Sequence, residues 1–192
     1  MGRRGRSILG KDGDVLFVTT TVMNFSRVFG LGEQYYRILL DSLKFMLREH
    51  RACLIAYVLM PSHIHLLLYL PPGEHISDFM RDFKKYTSVR IRQRLEDDGQ
   101  LGYLEKLHRN AVNKKDQRFK LWKDRFDDVV ITTEKMLGIK IQYIHENPVR
   151  AGLVQKAEEW KYSSERDYQS GKQGLIDVTP PWELEEAIGN NK

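Results

Sequence analysis

Apolar residues follow two different periods along the chain, and the changes between them mark the predicted elements. β-branched and aromatic residues over 15–22 predict a strand. Apolar residues at helical spacing from Tyr36 to Leu47 then predict an amphipathic helix. Residues 54–59 and 63–70 are apolar nearly throughout and only a short Met-Pro-Ser segment separates them. They therefore predict a hairpin of two strands whose faces are both covered.

A longer helix follows this hairpin. Apolar residues recur at helical spacing from Phe79 to Leu95, with Ser77 as a candidate N-cap and Asp78 suited to the first turn. Residues 97–118 are polar and basic and form the least predictable part of the chain.

A last strand and helix complete the pattern. Residues 129–131 are β-branched and predict a strand. Thr133 opens a third helix, which must end near Asn147 because Pro148 disfavours helical geometry in the residue before it.

The order of these elements predicts the α+β class, as a single ferredoxin-like (RRM-like) domain with an antiparallel sheet and helices packed on it. We expect the domain to span residues 15–170. A basic N-terminal arm of residues 1–14 precedes it, and an extended C-terminal tail of residues 171–192 follows it. Because this fold serves many functions, it leaves the activity open.

Composition adds a weak preference for an acidic partner. The 192 residues include 31 lysines and arginines against 26 acidic residues, a net charge of +5, which favours a polyanion without requiring one. The single cysteine, Cys53, excludes an internal disulfide and a cysteine-based zinc site, and a reducing cytoplasm is the simplest compartment. No segment approaches the ~20 apolar residues of a membrane span, so we expect no membrane partner.

Cationic side chains concentrate in two neighbouring stretches. The predicted second helix carries Arg81, Lys84, Lys85, Arg90, Arg92 and Arg94. The segment after it carries Lys106, His108, Arg109, Lys114, Lys115, Arg118 and Lys120. Such surfaces neutralise phosphates, and aromatic residues among them can stack exposed bases. A solvated helix face is the alternative interpretation.

Two histidines stand two positions apart at the start of a predicted strand. Because alternate side chains of a strand share a face, His63 and His65 would point the same way. Two neutral imidazoles side by side can bind one divalent ion. The pattern alone is weak, and two unrelated histidines would produce it equally well.

A polar stripe lies along the predicted third helix. Tyr143 and Asn147 are four residues apart and therefore neighbours on one face, and Lys140 extends the same stripe by one turn. A phenol, an amide and an ammonium group together form a candidate site. A surface tyrosine and an asparagine near the helix end are the alternative.

Four segments resemble, in family order, motifs of the HUH single-strand DNA transposases. Residues 60–68 (MPSHIHLLL) resemble the MPNHxH segment, and residues 121–126 (LWKDRF) resemble the WQ-x-x-F strand. Residues 143–154 (YIHENPVRAGLV) are similar to the YIHxNPVRAGLV block of the REP-associated tyrosine transposases, and residues 160–164 (WKYSS) to the W-x-x-SS element that follows it. The resemblance spans roughly residues 15–168.

This resemblance implies a metal-dependent single-strand DNA endonuclease and strand transferase. In that family, the positions of His63, His65 and Asn147 hold Mg²⁺ or Mn²⁺, and Mn²⁺ suits imidazole ligands better. Tyr143 would be the nucleophile, forming a 5′-phosphotyrosine link and freeing a 3′-hydroxyl. Its partner would be single-stranded DNA with hairpin or palindromic ends, bound by a monomer or a homodimer.

Other side chains near the stripe have competing roles. A phenol with a pKa of ~10 needs a nearby cation or base to act near neutral pH, and Lys140 could supply that cation. Glu146 lies off the Tyr143 stripe, so we expect it to be solvated and not a further ligand. Tyr86 is a rival nucleophile, although its spacing from Phe79 and Phe83 favours packing. His145 should face elsewhere.

Two other classes of function fit some of these features. One is a non-catalytic nucleic-acid-binding ferredoxin-like module, which would need exposed aromatic residues on its strands, whereas these strands are aliphatic. The other is a histidine–metal hydrolase that uses activated water, with Tyr143 incidental. A covalent protein–DNA adduct distinguishes all three.

Overall fold

The computed structural model describes residues 13–109, 111, 119–171 and 174–190. Three predicted DNA-binding residues, Lys114, Lys115 and Arg118, lie outside the described residues, as does most of the N-terminal arm. Within the described part, the helices are too short or too polar to cross a membrane.

The described chain contains four strands and six α-helices. The strands are β1 (Asp14–Thr21), β2 (Cys53–Leu59), β3 (His63–Leu70) and β4 (Asp127–Val130). The helices are α1 (Glu33–Glu49), α2 (Ile76–Asp97), α3 (Leu101–Arg109), α4 (Glu134–Arg150), α5 (Glu165–Ser170) and α6 (Leu184–Asn190). Short 3-10 turns cover Met23–Phe25, Val28–Leu31 and Ala157–Glu159.

The strands form one antiparallel sheet in the order β2-β3-β1-β4. The strand β3 therefore lies between β1 and β2, which α1 connects, as in a split β-α-β unit. This arrangement confirms the predicted α+β class and antiparallel sheet.

Each face of the sheet packs against different helices. Side chains alternate between the faces along a strand, so Ile64, Leu66 and Leu68 of β3 join the core beneath α1 and α2. Leu67 points the other way and packs with Leu137 and Ile144 of α4 and the apolar residues of that face. The two histidines of β3 have odd numbers and belong to this α4 face.

Two details of the sequence prediction are wrong at helix ends. The second helix begins at Ile76 with His75 at the N-cap, two residues ahead of the proposed Ser77 cap. Residues 97–118, for which the sequence predicted no element, contain α3. The third helix does not end near Asn147 but continues through Pro148 to Arg150. Proline removes one donor in the last turn, and the amide of Ala151 still donates to the carbonyl of Asn147 at 3.0 Å.

The C-terminal tail is also more structured than its prolines suggest. It contains α6, and Ile176 and Leu184 are buried in the two apolar clusters. The amide of Thr179 donates to the carbonyl of Leu54 in β2 at 2.7 Å. The expected extended tail is therefore corrected to a packed segment with a short helix.

Candidate active site on the α4 face of the sheet

His63 and His65 share one face of β3, as the alternation predicts. They pair in register with Thr21 and Thr19 of β1, and their ring centroids are 4.9 Å apart. The strand therefore brings two imidazoles to the end of the sheet where β1 stops.

Hydrogen bonds fix the orientation of the His65 ring. Its Nδ1 lies 2.8 Å from the hydroxyl of Thr19, and its Nε2 lies 3.3 Å from the side-chain nitrogen of Asn147. An amide nitrogen only donates, so Nε2 accepts and Nδ1 carries the proton. Burial, with the charges of His63 and Lys140, lowers the pKa of His65 to about 3, so the ring is neutral at physiological pH.

The residues around His63 complete a candidate metal centre. Burial lowers the pKa of His63, while a hydrogen bond with Asn147 raises it. The Asn147 amide thus reaches both imidazoles, and a half-turn of that amide would present its oxygen instead of its nitrogen. No three histidine, cysteine or acidic side chains of the described residues cluster into a metal site. The candidate metal ligands are therefore two neutral imidazoles and one amide oxygen. Because Mg²⁺ prefers oxygen ligands, this set fits Mn²⁺ better than Mg²⁺.

Tyr143 of α4 lies beside this pair. Its ring centroid is 5.2 Å from that of His65, with the planes nearly perpendicular. Phe17 of β1 stacks on His65 at 5.5 Å and meets Tyr143 edge-on at 5.9 Å. Phe17 thus forms the floor of the site. Sequence analysis missed it, although its position two residues before Thr19 places it on the same face.

Two cations flank the Tyr143 ring. The Lys140 ammonium nitrogen lies 4.3 Å from the Phe17 ring centroid and 5.8 Å from that of Tyr143. On the other side, the guanidinium carbon of Arg150 lies 5.4 Å from the Tyr143 centroid. Arg150 was also missed, although its position seven residues after Tyr143 places it on the same helical stripe. Lys140, Tyr143, Asn147 and Arg150 therefore follow one another along α4.

The remaining residues of this block face other directions. Glu146 accepts hydrogen bonds from Gln142 at 2.8 Å and Arg150 at 3.3 Å, both on its own helix. His145 is buried against α5: its Nδ1 lies 2.5 Å from the Glu165 carboxylate, and its Nε2 lies 2.9 Å from the Ser164 hydroxyl. Burial lowers the pKa of His145 to about 4, so the ring is neutral and donates to Glu165.

Ser164 extends this contact into the sheet, because its hydroxyl oxygen accepts the amide hydrogen of Tyr57 in β2 at 3.0 Å. The chain from Glu165 through His145 and Ser164 to Tyr57 therefore joins the active-site helix α4 to the sheet. The histidine of the tyrosine block and the second serine of residues 160–164 therefore contact each other in the fold.

The rival tyrosine is far from this site in the fold. Tyr86 lies on α2, which packs on the opposite face of the sheet, and its ring is 46% exposed and stacks on Phe45 at 6.3 Å. It is a rim aromatic with no histidine pair beside it.

The described cations of the predicted DNA-binding surface lie on α2, on α3 and in the segment after it, and not beside the histidines. Several form ion pairs: Arg81 with Asp78 and Asp82, Arg92 with Glu96, Arg94 with Asp98, Arg109 with Glu105, and Lys120 with Asp124. Lys85 and Arg90 are exposed. Lys84 donates to the main-chain oxygen of Lys123 at 2.6 Å. A cavity of about 460 Å³ opens between α2 and residues 119–124.

Comparisons with known proteins concern the family and the fold of this chain. A family model described as "Transposase IS200 like" matches residues 24–147. A REP-associated tyrosine transposase assigned in Haemophilus influenzae is 28% identical over 118 residues, which cover 57% of each chain. The chain thus spans little more than half the length of that relative. A solved structure of a REP-associated tyrosine transposase bound to a REP hairpin has the same fold, with a TM-score of 0.62, 24% identity, and coverage of 95% of this chain and 96% of that one.

Proposed function

Because the chain belongs to the IS200-like transposase family, we propose that it is a metal-dependent single-strand DNA endonuclease and strand transferase that acts through a covalent tyrosine–DNA intermediate. One observation carries the proposal. The ring of Tyr143 lies 5.2 Å from that of His65, with Asn147 in hydrogen-bond contact with the same imidazole. One chain supplies these groups, so we propose that Tyr143 serves the histidines of its own chain.

In the proposed first step, the phenol oxygen of Tyr143 attacks the scissile phosphorus and gives up its proton. The bond from phosphorus to the 3′ oxygen breaks, and this oxygen leaves as a 3′-hydroxyl after taking up a proton. The product is a 5′-phosphotyrosine. In strand transfer, a 3′-hydroxyl attacks this phosphotyrosine, and Tyr143 leaves as the phenol. Energy is conserved in the phosphodiester throughout, so no nucleotide cofactor is needed.

His63, His65 and Asn147 would hold the divalent ion, Mn²⁺ or Mg²⁺. When bound there, the ion would polarise the scissile phosphate and offset the charge that develops in the transition state. The three protein ligands are neutral, so the phosphate itself would supply the negative charge. The hydroxyl of Thr19, 2.8 Å from Nδ1, would hold His65 in the tautomer whose Nε2 can bind the ion. Phe17 holds the same ring by stacking.

Lys140 and Arg150 would stabilise negative charge on either side of the phenol. A cation close to a phenol favours the phenolate, which is the stronger nucleophile. The ammonium group of Lys140 lies over Phe17 and close enough to His65 to lower its pKa, so its charge already acts within the site.

The proposed substrate is single-stranded DNA next to a hairpin, as suggested by the REP hairpin in the solved relative. The cations of α2 would follow its backbone. Their partners are mostly exposed carboxylates, and such surface pairs contribute only about 0–1 kcal/mol, so phosphates can replace them. Cys53 is a buried free thiol, and we place the protein in the cytoplasm, where thiols stay reduced.

The test is a covalent adduct with a single-stranded oligonucleotide that carries a hairpin. Wild-type protein should form a gel-shifted adduct in Mn²⁺, and Tyr143→Phe should lose it while keeping its fold. Tyr86→Phe is the matched control and should retain the adduct. An undiminished adduct in Tyr143→Phe would contradict the proposal, and cleavage without any adduct would indicate hydrolysis by water instead.

A further inference from the structure

A strained, exposed aromatic turn follows β1. Within Met23–Phe25, Asn24 and Phe25 both adopt the left-handed backbone region, with φ of 54° and 52°. This region is uncommon for residues other than glycine and is unfavourable for a bulky side chain such as phenylalanine. The Phe25 ring is nevertheless 63% exposed. Burial of the ring therefore does little to offset the backbone strain, which suggests that the exposed ring serves a ligand.

Hydrogen bonds hold this turn beside the candidate metal centre. Thr21, the last residue of β1, pairs in register with His63. The amide of Val22 donates to the carbonyl of Ser62, the neighbour of His63, at 2.8 Å. Phe25 therefore projects from a segment that is fixed directly to the first residue of the histidine strand.

The other side of the turn is tied to the basic cavity. The amide of Met23 donates to the carbonyl of Leu121 at 2.7 Å, and the amide of Lys123 donates to the carbonyl of Thr21 at 2.9 Å. The Lys123 ammonium nitrogen lies 3.8 Å from the Phe25 ring centroid. Lys123 also lines the cavity of about 460 Å³ beneath α2, together with Lys84, Lys85, Arg92 and Lys120. The turn thus joins this groove, which five cationic side chains and Asp124 line, to the histidine pair.

We propose that Phe25 is a stacking platform for one unpaired nucleobase, and that Lys123 binds the phosphate next to it. The single strand would then run from the cationic groove, across Phe25, to His63 and His65. Every base offers a π-face to an aromatic ring, so this contact positions the strand without reading its sequence. The inference rests on the proposed function, because it assigns part of the same substrate.

An abasic scan tests the contact directly. Single abasic sites are placed one at a time along the unpaired strand, and equilibrium binding is measured by anisotropy with Tyr143→Phe, which prevents turnover. We expect one position near the cleavage site where loss of the base weakens binding about tenfold. Adding Phe25→Ala should weaken binding of the intact strand by a similar factor and abolish the penalty at that one position. A penalty that survives Phe25→Ala would overturn the proposal.

A second variant separates stacking from a structural role. Phe25→Gly removes the ring and relieves the backbone strain, so the thermal midpoint should stay the same or rise while DNA binding weakens. A fall in the midpoint together with binding would show that the ring only supports the fold, and unchanged binding would equally overturn the proposal. Trp182→Ala is the matched control, since that ring is 69% exposed in the C-terminal segment, and it should leave binding unchanged.

Failure of the stacking proposal can be distinguished from failure of the proposed function. Binding to the abasic series reports stacking whether or not wild-type protein forms a covalent adduct. An absent adduct with an intact Phe25-dependent penalty would reject strand transfer and keep the stacking platform. A normal adduct with no such penalty would keep strand transfer and reject the stacking platform.

Discussion

The two faces of the sheet use the same strands for opposite purposes. On the α1 and α2 face, Leu66 of β3 packs into an apolar core that includes Phe79 and Phe83. On the α4 face, His65 of the same strand lies among Phe17 and Tyr143. One face is closed by two long helices and has become the main core. The other has a single helix at the histidine end, where the polar side chains of His65 and Asn147 are buried and in contact with each other. A shift of one residue along β3 would exchange these roles.

The largest effect should come from removing a histidine. His63→Ala or His65→Ala should lower single-strand cleavage at least about 100-fold, because each removes a proposed metal ligand. Single-strand binding should change little, since the α2 cations lie on the opposite face. Cleavage and binding assays on the same preparations measure both, and EDTA should reproduce the loss in wild type. Cleavage that persists in EDTA and in both variants would refute the metal centre.

The second prediction concerns the face of the sheet that α1 and α2 cover, where a substitution should affect stability and not cleavage. Phe79 is fully buried, so Phe79→Ala should lower the free energy of unfolding by about 3–5 kcal/mol. Urea unfolding measures this loss, and adduct formation per folded molecule should stay near the wild-type level. If adduct formation fell well beyond the folded fraction, the two faces would not be separable.

An intermediate effect on stability and on adduct formation is expected where hydrogen bonds join α4 to the sheet. Ser164→Ala leaves the buried amide of Tyr57 and the Nε2 of His145 without their partner, which should cost about 1–3 kcal/mol. Because this hydroxyl connects α4 to β2, adduct formation should also slow. Ser170→Ala, an exposed serine whose hydroxyl donates to the carbonyl of Arg166 within α5, is the control and should change unfolding far less and leave adduct formation unchanged. Equal changes in unfolding free energy and adduct formation for both serines would show that the hydrogen bonds of Ser164 do not stabilise the position of α4.

The smallest effect concerns the charge beside the phenol. Lys140→Ala should slow adduct formation about tenfold at neutral pH, because the phenolate loses a nearby cation. Lys140→Arg keeps the charge and should recover most of the rate. Lys135→Ala, an exposed lysine of the same helix, should have no effect. Single-turnover rates at saturating DNA provide the comparison, and equal rates for Lys140→Ala and Lys135→Ala would exclude a role for the ammonium group.

Periodicity predicted the fold and half of the candidate site. The alternation in β3 places His63 and His65 on one face, and the helical spacing places Lys140, Tyr143 and Asn147 on one stripe. Periodicity could not bring Asn147 within 3.3 Å of His65, which is 82 residues away along the chain. The resemblance to a family suggested this contact, and only packing of α4 on the sheet produces it.

Other features were missed because they depend on tertiary partners. Spacing alone places Phe17 on the face of Thr19 and Arg150 on the stripe of Tyr143, but only the packing of α4 on the sheet shows that both side chains reach the site. Charge counts found the cations of α2 but not their carboxylate partners. The end of α4 was misplaced because Pro148 loses only one hydrogen bond in a final turn whose buried side, Asn147 and Pro148, is held by packing.

The packed C-terminal tail has a consequence for solubility. An outer strand with free main-chain groups can recruit a strand from another molecule and begin aggregation. Here β4 is short and starts with two aspartates, which disfavours such pairing. The other outer strand, β2, is long and buried, and the later chain covers it through bonds from Thr179 to Leu54 and from Leu59 to Tyr162. The segment beyond residue 160 therefore protects the sheet against strand-to-strand self-association.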